Sequence, residues 1–178
     1  SIAQENLFSI GVRALSGAID PVEAGPAFSA LADCLLEATL CHVTKAFGEE
    51  YGSVPGGRIA VIAMGKLGSR EMTATSDLDL VIVYDFDETK PESDGRRALH
   101  AVQYYTRFTQ RLISALTVST RRGALYDVDM RLRPSGKKGP VAVQLSSFVQ
   151  YQREEAETWE KMALCRARTD RRGRAFES

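Results

Sequence analysis

"GKLGSREMTATSDLDLVIVYD", Gly65 to Asp85, is the stretch on which the reading of this 178-residue chain turns. Its apolar second half, "LDLVIVYD", reads as a strand, and the strand is entered through two aspartates, Asp77 and Asp79. Side chains alternate faces along a strand, so the two carboxylates point the same way. Like charges side by side repel, and burying them unpaired is costly. The arrangement asks for a compensating cation.

Working outward, "RIAVIAMG" reads as a short buried strand ending at Gly65, and "YGSVPGG" as the break before it. Upstream, residues 2–18 and 27–47 carry apolar residues at helical spacing, with Phe28, Leu31, Leu35, Ala38, Cys41 and His42 along one side of the second. "AIDPVEAGPA" reads as the turn between these helices. Downstream, "FDETKPESDG" is a polar loop, and a helix is expected from Asp94 to about Leu116, with Ala98, Val102, Tyr105, Phe108, Leu112 and Ala115 on its apolar face. "ALYDVDMRLRP" predicts a third strand closed by Pro134, "SGKKGP" a basic loop, and "VAVQL" a short fourth strand. Ser146 or Ser147 is the expected cap of a last helix through "FVQYQREEAETWEKMALCRAR". This order predicts an α+β fold, a small mixed sheet flanked by helices. GxGxxG is absent, so a dinucleotide-binding fold is a poor fit.

Composition sets the outer limits. The apolar fraction of 44% and the charged fraction of 26% are ordinary for a globular domain. No run of about 18 apolar residues marks a membrane span, and no signal peptide is visible. A formal net charge of zero argues against nucleic-acid or membrane binding by bulk attraction. Locally, Arg121, Arg122, Arg131, Arg133, Lys137 and Lys138 form a basic stretch, the first two read as a solvated turn. Three cysteines, Cys34, Cys41 and Cys165, fit neither a metal spacing nor an even disulfide set, and a cytoplasmic setting follows. Cys34 and Cys41 are expected on one buried helix face, and His42 as a packing or surface residue. The chain opens on Ser1 and stops in "RRGRAFES", so it reads as a piece of a larger protein.

The chemistry gathers around the carboxylates. Asp127 and Asp129, in "YDVDMRLRP", again share a face. If the strands are neighbours, three or four carboxylates converge, an all-oxygen set suited to Mg²⁺ or Mn²⁺. Two such ions would clamp the attacking and leaving oxygens of a nucleotidyl transfer. Phosphate handling falls to "MGKLGSRE": Gly68 lets backbone approach an anion, the Ser69 hydroxyl adds a donor, and Lys66 adds a positive charge. The P-loop spacing is missing.

A Gly-Ser turn followed by Asp-apolar-Asp on a strand, with a third carboxylate on a later strand, resembles the DNA polymerase beta nucleotidyltransferase superfamily. "MGKLGSREMTATSDLDLVIVYD" and "LYDVDMRLRPSGKKGPVAVQLSSFVQYQREEAETWEKMALCRAR" together resemble the glutamine synthetase adenylyltransferase family, over residues 55–170. That family adds AMP to glutamine synthetase in one half and removes it in the other. "RLRPSG" at 131–136, with Tyr151-Gln152, Glu155-Ala156, Thr158-Trp159-Glu160 and Ala163-Leu164, is similar to the adding, C-terminal half. Ser69 stands where relatives often have Gly.

The resemblance implies that Asp77, Asp79 and Asp129 hold the metals, with Asp129 orienting or deprotonating the attacking hydroxyl and Asp127 supplementary or structural. It implies that Gly68 and Ser69 bind the triphosphate, with ATP as substrate and Mg²⁺ or Mn²⁺ as cofactor. Arg131 and Arg133, on one strand face with Asp129, would pair with phosphates or with the carboxylates. Glutamine synthetase is the implied protein substrate, and a PII-type regulator and glutamine the implied effectors of the full-length enzyme. Residues 1–52 are expected as a helical segment packed on a catalytic domain of residues 53–178. Trp159, the single tryptophan, is expected as a core anchor rather than an adenine platform. Glu160, Arg166 and Arg168 are read as surface helix pairs before an ion-pair network closing the site. The rivals are the removing half of the same enzyme and a non-catalytic docking module; a nucleic-acid polymerase is disfavoured by the zero net charge.

Overall fold

Asp20 decides where the long N-terminal helix begins. In the computed structural model, which describes residues 2–117 and 126–169, its Oδ1 accepts the Val22 amide at 2.9 Å. Pro21, with its φ preset for a helix, takes the first position. α2 therefore spans Pro21–Tyr51, preceded by α1, Ile2–Leu15. The turn expected over "AIDPVEAGPA" shrinks accordingly, and the helix continues through Gly25 and Pro26. A proline this close to the N-terminus forfeits a single backbone bond. Gly25 is needed for packing, since a Cβ there would lie 3.1 Å from the Arg70 carbonyl oxygen. Gly52, at φ 72, closes α2.

The buried stripe of α2 is Phe28, Ala32, Leu36, Val43 and Phe47. Leu31 and Leu35 are half-buried, whereas Ala38, Cys41 and His42 are exposed. Cys34 and Cys41 face solvent, against the expectation. α2 is apolar on more than one side, so its sequence offers competing stripes, and the position of its neighbours selects one. Among the described residues it is also the one helix long and apolar enough to cross a membrane by length and composition. Here its stripe belongs to the same core as the sheet and α4, Ala101–Leu116.

The sheet is built around β2, Leu78–Asp85. β1, Arg58–Ala63, runs antiparallel to it from Arg58↔Asp85 to Ala63↔Leu80. β3, Val128–Asp129, pairs in parallel with the start of β2, and β4, Val143–Gln144, in parallel with its end. β5, Arg168–Thr169, lies antiparallel on the far side of β1. β2 is therefore central and covered on both faces. Leu78, Leu80, Ile82 and Tyr84 join the core made by α2 and α4. Val81 and Val83 join Ile62, Leu132, Phe148, Ala163 and Leu164 on the other face. This second layer comes from α5, Leu145–Glu154, and α6, Thr158–Leu164. A small mixed sheet between helices is the α+β architecture expected.

Several boundaries move. α4 begins at Ala101 rather than near Asp94, because Asp94 Oδ1 instead accepts the Ser53 amide at 2.6 Å. His100 caps the helix, its Nδ1 accepting the Val102 amide at 3.3 Å. The last helix is two, split at Glu155–Glu157, where Glu157 and Glu160 form a capping box for α6. α5 starts straight out of β4 with Gln144 at its cap, so neither Ser146 nor Ser147 caps it. The third strand is the largest correction. It stops at Asp129, and residues 131–139 turn away. Arg121 and Arg122 lie outside the described residues.

Candidate active site

Parallel pairing of β2 with β3 builds the site. Register partners are Leu78↔Val128 and Asp79↔Asp129, so two carboxylates some fifty residues apart in sequence stand side by side. Asp77 enters from the residue before β2, whose pairing starts with the Leu78 amide donating to the Asp127 carbonyl at 2.8 Å. Alternation puts Asp77 and Asp79 on the face of Val81 and Val83, the face covered by α5 and α6. Asp127 itself is exposed.

The electrostatics follow from this crowding. Burial pushes the Asp79 carboxyl above its usual range, and the neighbouring Asp129 and Asp77 charges push it further, against Arg131 and Lys66. Asp129 moves the other way, because the Arg131 side chain donates to it and outweighs its burial. Arg131 Nε reaches Asp129 Oδ2 at 2.6 Å, and the Arg131 amide reaches Oδ1 at 2.8 Å. Arg131 thus occupies both oxygens of Asp129. Among the described residues no three acidic, histidine or cysteine side chains stand ready as a metal cage. The donor set is nonetheless all oxygen, crowded and short of positive charge at Asp79, which is the chemistry a hard divalent cation satisfies.

The glycine-serine segment differs from its expected form. Residues Gly65–Ser69 make a one-turn helix, α3, rather than an open turn. The Gly68 amide is spent on the Met64 carbonyl at 2.8 Å. A Cβ on Gly68 would lie 2.2 Å from the Arg166 carbonyl oxygen, so glycine here lets two stretches of the protein's own backbone meet. Ser69 Oγ lies 2.7 Å from Glu71 Oε2 and 3.2 Å from the Gly65 carbonyl oxygen. Lys66 is exposed and near enough to lower Asp79. Arg133 departs furthest: it donates to the carbonyls of Met130 at 2.8 Å, Gly139 at 3.2 Å and Lys137 at 3.2 Å. It braces the loop after β3 and does not share a strand face with Asp129.

With this geometry in place, comparison with known proteins is decisive. Residues 1–176 match the family profile of GlnE, glutamate-ammonia ligase adenylyltransferase. The chain belongs to the GlnE family. A relative from Rhodopseudomonas palustris (strain TIE-1) is 56% identical over 165 residues, covering 93% of this chain and 17% of its own length. One from Agrobacterium fabrum is 57% identical over 166 residues, covering 93% and 17%. One from Bradyrhizobium sp. (strain BTAi1) is 53% identical over 175 residues, covering 98% and 18%. Each is called a bifunctional glutamine synthetase adenylyltransferase/adenylyl-removing enzyme. The chain spans under a fifth of the length of these GlnE relatives.

In this GlnE-family chain the structure adds Gly65 to the site and gives Arg168, Trp159 and Glu160 roles other than those expected. Gly65, at φ 50, is backed by the site: a Cβ there would lie 2.2 Å from Asp79 Oδ2. Its only signal was its place at the end of a strand, one residue before a lysine. Arg168 ties the N-terminal helices to the site, donating to Asp33 Oδ1 of α2 at 2.8 Å and to the Leu67 carbonyl of α3 at 3.1 Å. It is therefore no helix-surface pair, and a two-residue strand leaves no periodicity to read. Trp159 is 55% exposed, which overturns its role as a core anchor. Glu160 is committed to the capping box and to the Tyr151 hydroxyl, which donates to it at 2.9 Å.

Proposed function

We propose that this chain is a nucleotidyltransferase unit of polymerase-beta-like fold that transfers AMP from ATP to a tyrosine of glutamine synthetase. The observation that carries the proposal is the in-register pair Asp79 and Asp129, with Asp77 beside it, in a chain of the GlnE family. Asp77, Asp79 and Asp129 would hold Mg²⁺ or Mn²⁺. When bound, the ion would offset charge developing on the α-phosphate and on the leaving pyrophosphate.

The chain's own residues do the rest. The tyrosine oxygen bonds to the α-phosphorus in line with the departing pyrophosphate, whose bridging oxygen keeps the electron pair. The phenolic proton passes to Asp129. In the state described, Arg131 holds Asp129 as a weak base, so Arg131 must first let go. Released from Asp129, its guanidinium has a natural new partner in the triphosphate, joined by Lys66 and by the Ser69 hydroxyl turned from Glu71. Gly68 and Arg133 support these groups rather than touch phosphate.

The 131–136 "RLRPSG" segment and the "TWE" at 158–160 favour the adding half over the removing half. Residues 1–52 form the helical support of a catalytic domain reaching to residue 178. In the full-length enzyme a PII-type regulator and glutamine set the balance of the two halves, in the cytoplasm, with no nucleic acid or membrane involved. The test is direct: incubate the chain with ATP, Mg²⁺ and unmodified glutamine synthetase, then weigh the product. A gain of one AMP unit is expected. No gain, with phosphate-dependent loss of AMP from adenylylated glutamine synthetase, assigns the removing half instead.

A further inference from the structure

We infer that Trp159 is the platform on which the nucleobase of the substrate stacks. The inference rests on the proposed nucleotidyl transfer and adds where the base goes. The lone tryptophan of a chain this size is a costly residue to leave in water, yet Trp159 is more than half exposed. It does not stand on open surface. It lines a cleft of about 280 Å³ together with Tyr151, Glu155, Glu157, Ser135 and Arg131. Arg131 also clasps Asp129, so one side chain belongs both to the lining of the cleft and to the carboxylate pair. Alternation along β2 places Asp77 and Asp79 on the sheet face covered by the helices that carry Tyr151 and Trp159.

The indole is held in place before any ligand arrives. Its Nε1 donates to Glu157 Oε2 at 3.1 Å, and Glu157 is itself fixed as the cap of α6. An aromatic ring locked by its own cap and left facing a cleft is preorganised for a flat partner. The rim suits a base better than phosphate. Glu155, Glu157 and Glu160 make the Trp159 side of the cleft acidic, which disfavours a triphosphate there, while Arg131 on the same lining offers it a cation beside Asp129. Glu155 accepts no hydrogen bond among the described residues, which leaves an anionic acceptor for an exocyclic amine such as that of adenine. On this inference the base lies against Trp159 and the phosphates towards Arg131.

Stacking of a base on an aromatic side chain is worth roughly a fivefold to hundredfold change in affinity. Because Trp159 is the single tryptophan, its fluorescence reports the event without labelling. Mg²⁺-ATP is expected to quench it, whereas Mg²⁺-tripolyphosphate binds without quenching. In calorimetry Trp159→Leu is expected to weaken Mg²⁺-ATP at least about fivefold and to leave tripolyphosphate unchanged, while Trp159→Phe keeps most of the ATP affinity. Equal quenching by the two ligands, or unaltered ATP affinity in Trp159→Leu, overturns the platform and leaves the transfer reaction standing. If the parent chain binds neither ligand, the nucleotidyltransferase reading fails, and the platform with it.

Discussion

Replacing Gly65 by alanine tests how closely the backbone is fitted to the carboxylate site. Two costs are expected, and they can be separated. The first is conformational: Gly65 sits at φ 50, and a residue with a Cβ loses roughly 1–2 kcal/mol in that region. Reduced freedom of the unfolded chain returns about 0.4–1 kcal/mol of this. The second is steric. The new Cβ would lie 2.2 Å from Asp79 Oδ2, so the carboxylate must retreat by about 1 Å to reach ordinary contact. A displacement of that size at a reacting centre costs on the order of 100-fold in rate. The variant should therefore unfold a few degrees lower, at about 2–4 °C per kcal/mol for a chain of this length. The proposed AMP transfer, followed by the mass of glutamine synthetase, should fall far more than the stability. Adding Asp79→Ala removes the oxygen that clashes, so Gly65→Ala in that background should carry the backbone cost alone. A Gly65→Ala chain with parental transfer and an unchanged midpoint would refute the fit between Gly65 and Asp79.

Other perturbations probe the remaining layers. Asp79→Asn should abolish transfer, and in metal-free buffer it should make the fold more stable at neutral pH. A carboxyl raised in the folded state stabilises while protonated, and that contribution is lost as pH rises through its folded value. Urea midpoints of parent and variant should accordingly converge in acid and separate at pH 7; parallel curves would show that Asp79 is not strained. Phe47→Ala should cost about 3–5 kcal/mol in urea unfolding, because Phe47 is 2% exposed and touches the rings of Tyr51, Tyr104 and Phe108. A loss below about 1 kcal/mol would mean the helix layer is not part of the cooperative core. Arg133→Lys should loosen the loop after β3, since one ammonium cannot reach three carbonyls. Hydrogen exchange of the Gly136 and Gly139 amides should quicken in this variant, and unchanged exchange would show that the loop is held some other way.

Local patterns were read well because they are local. The apolar runs of β1 and β2 follow from a few consecutive residues; along α4 Tyr105, Phe108 and Leu112 are buried as expected, whereas Ala98 precedes the helix and Val102 is exposed. The misreadings cluster where two local readings compete. Asp94 looks like a helix start until Ser53, far away in sequence, claims its carboxylate. "VDMRLRP" alternates like a strand, yet only Val128 and Asp129 find an edge to pair with. Trp159 looks like core by composition, and its exposure depends on where α6 packs.

By itself, the sequence determined that Asp77 and Asp79 share a face and need a partner, since alternation along a strand is a property of the backbone. It also carried the family, through ordered motifs spread over most of the chain. Only the tertiary structure decided which residues meet. Strand register put Asp129 beside Asp79, Arg131 folded back onto Asp129 because the strand ended there, and the Arg166 carbonyl took the space at Gly68. Pairing across fifty residues is set by the packing of both faces of β2 at once, and no window of neighbouring residues contains that information.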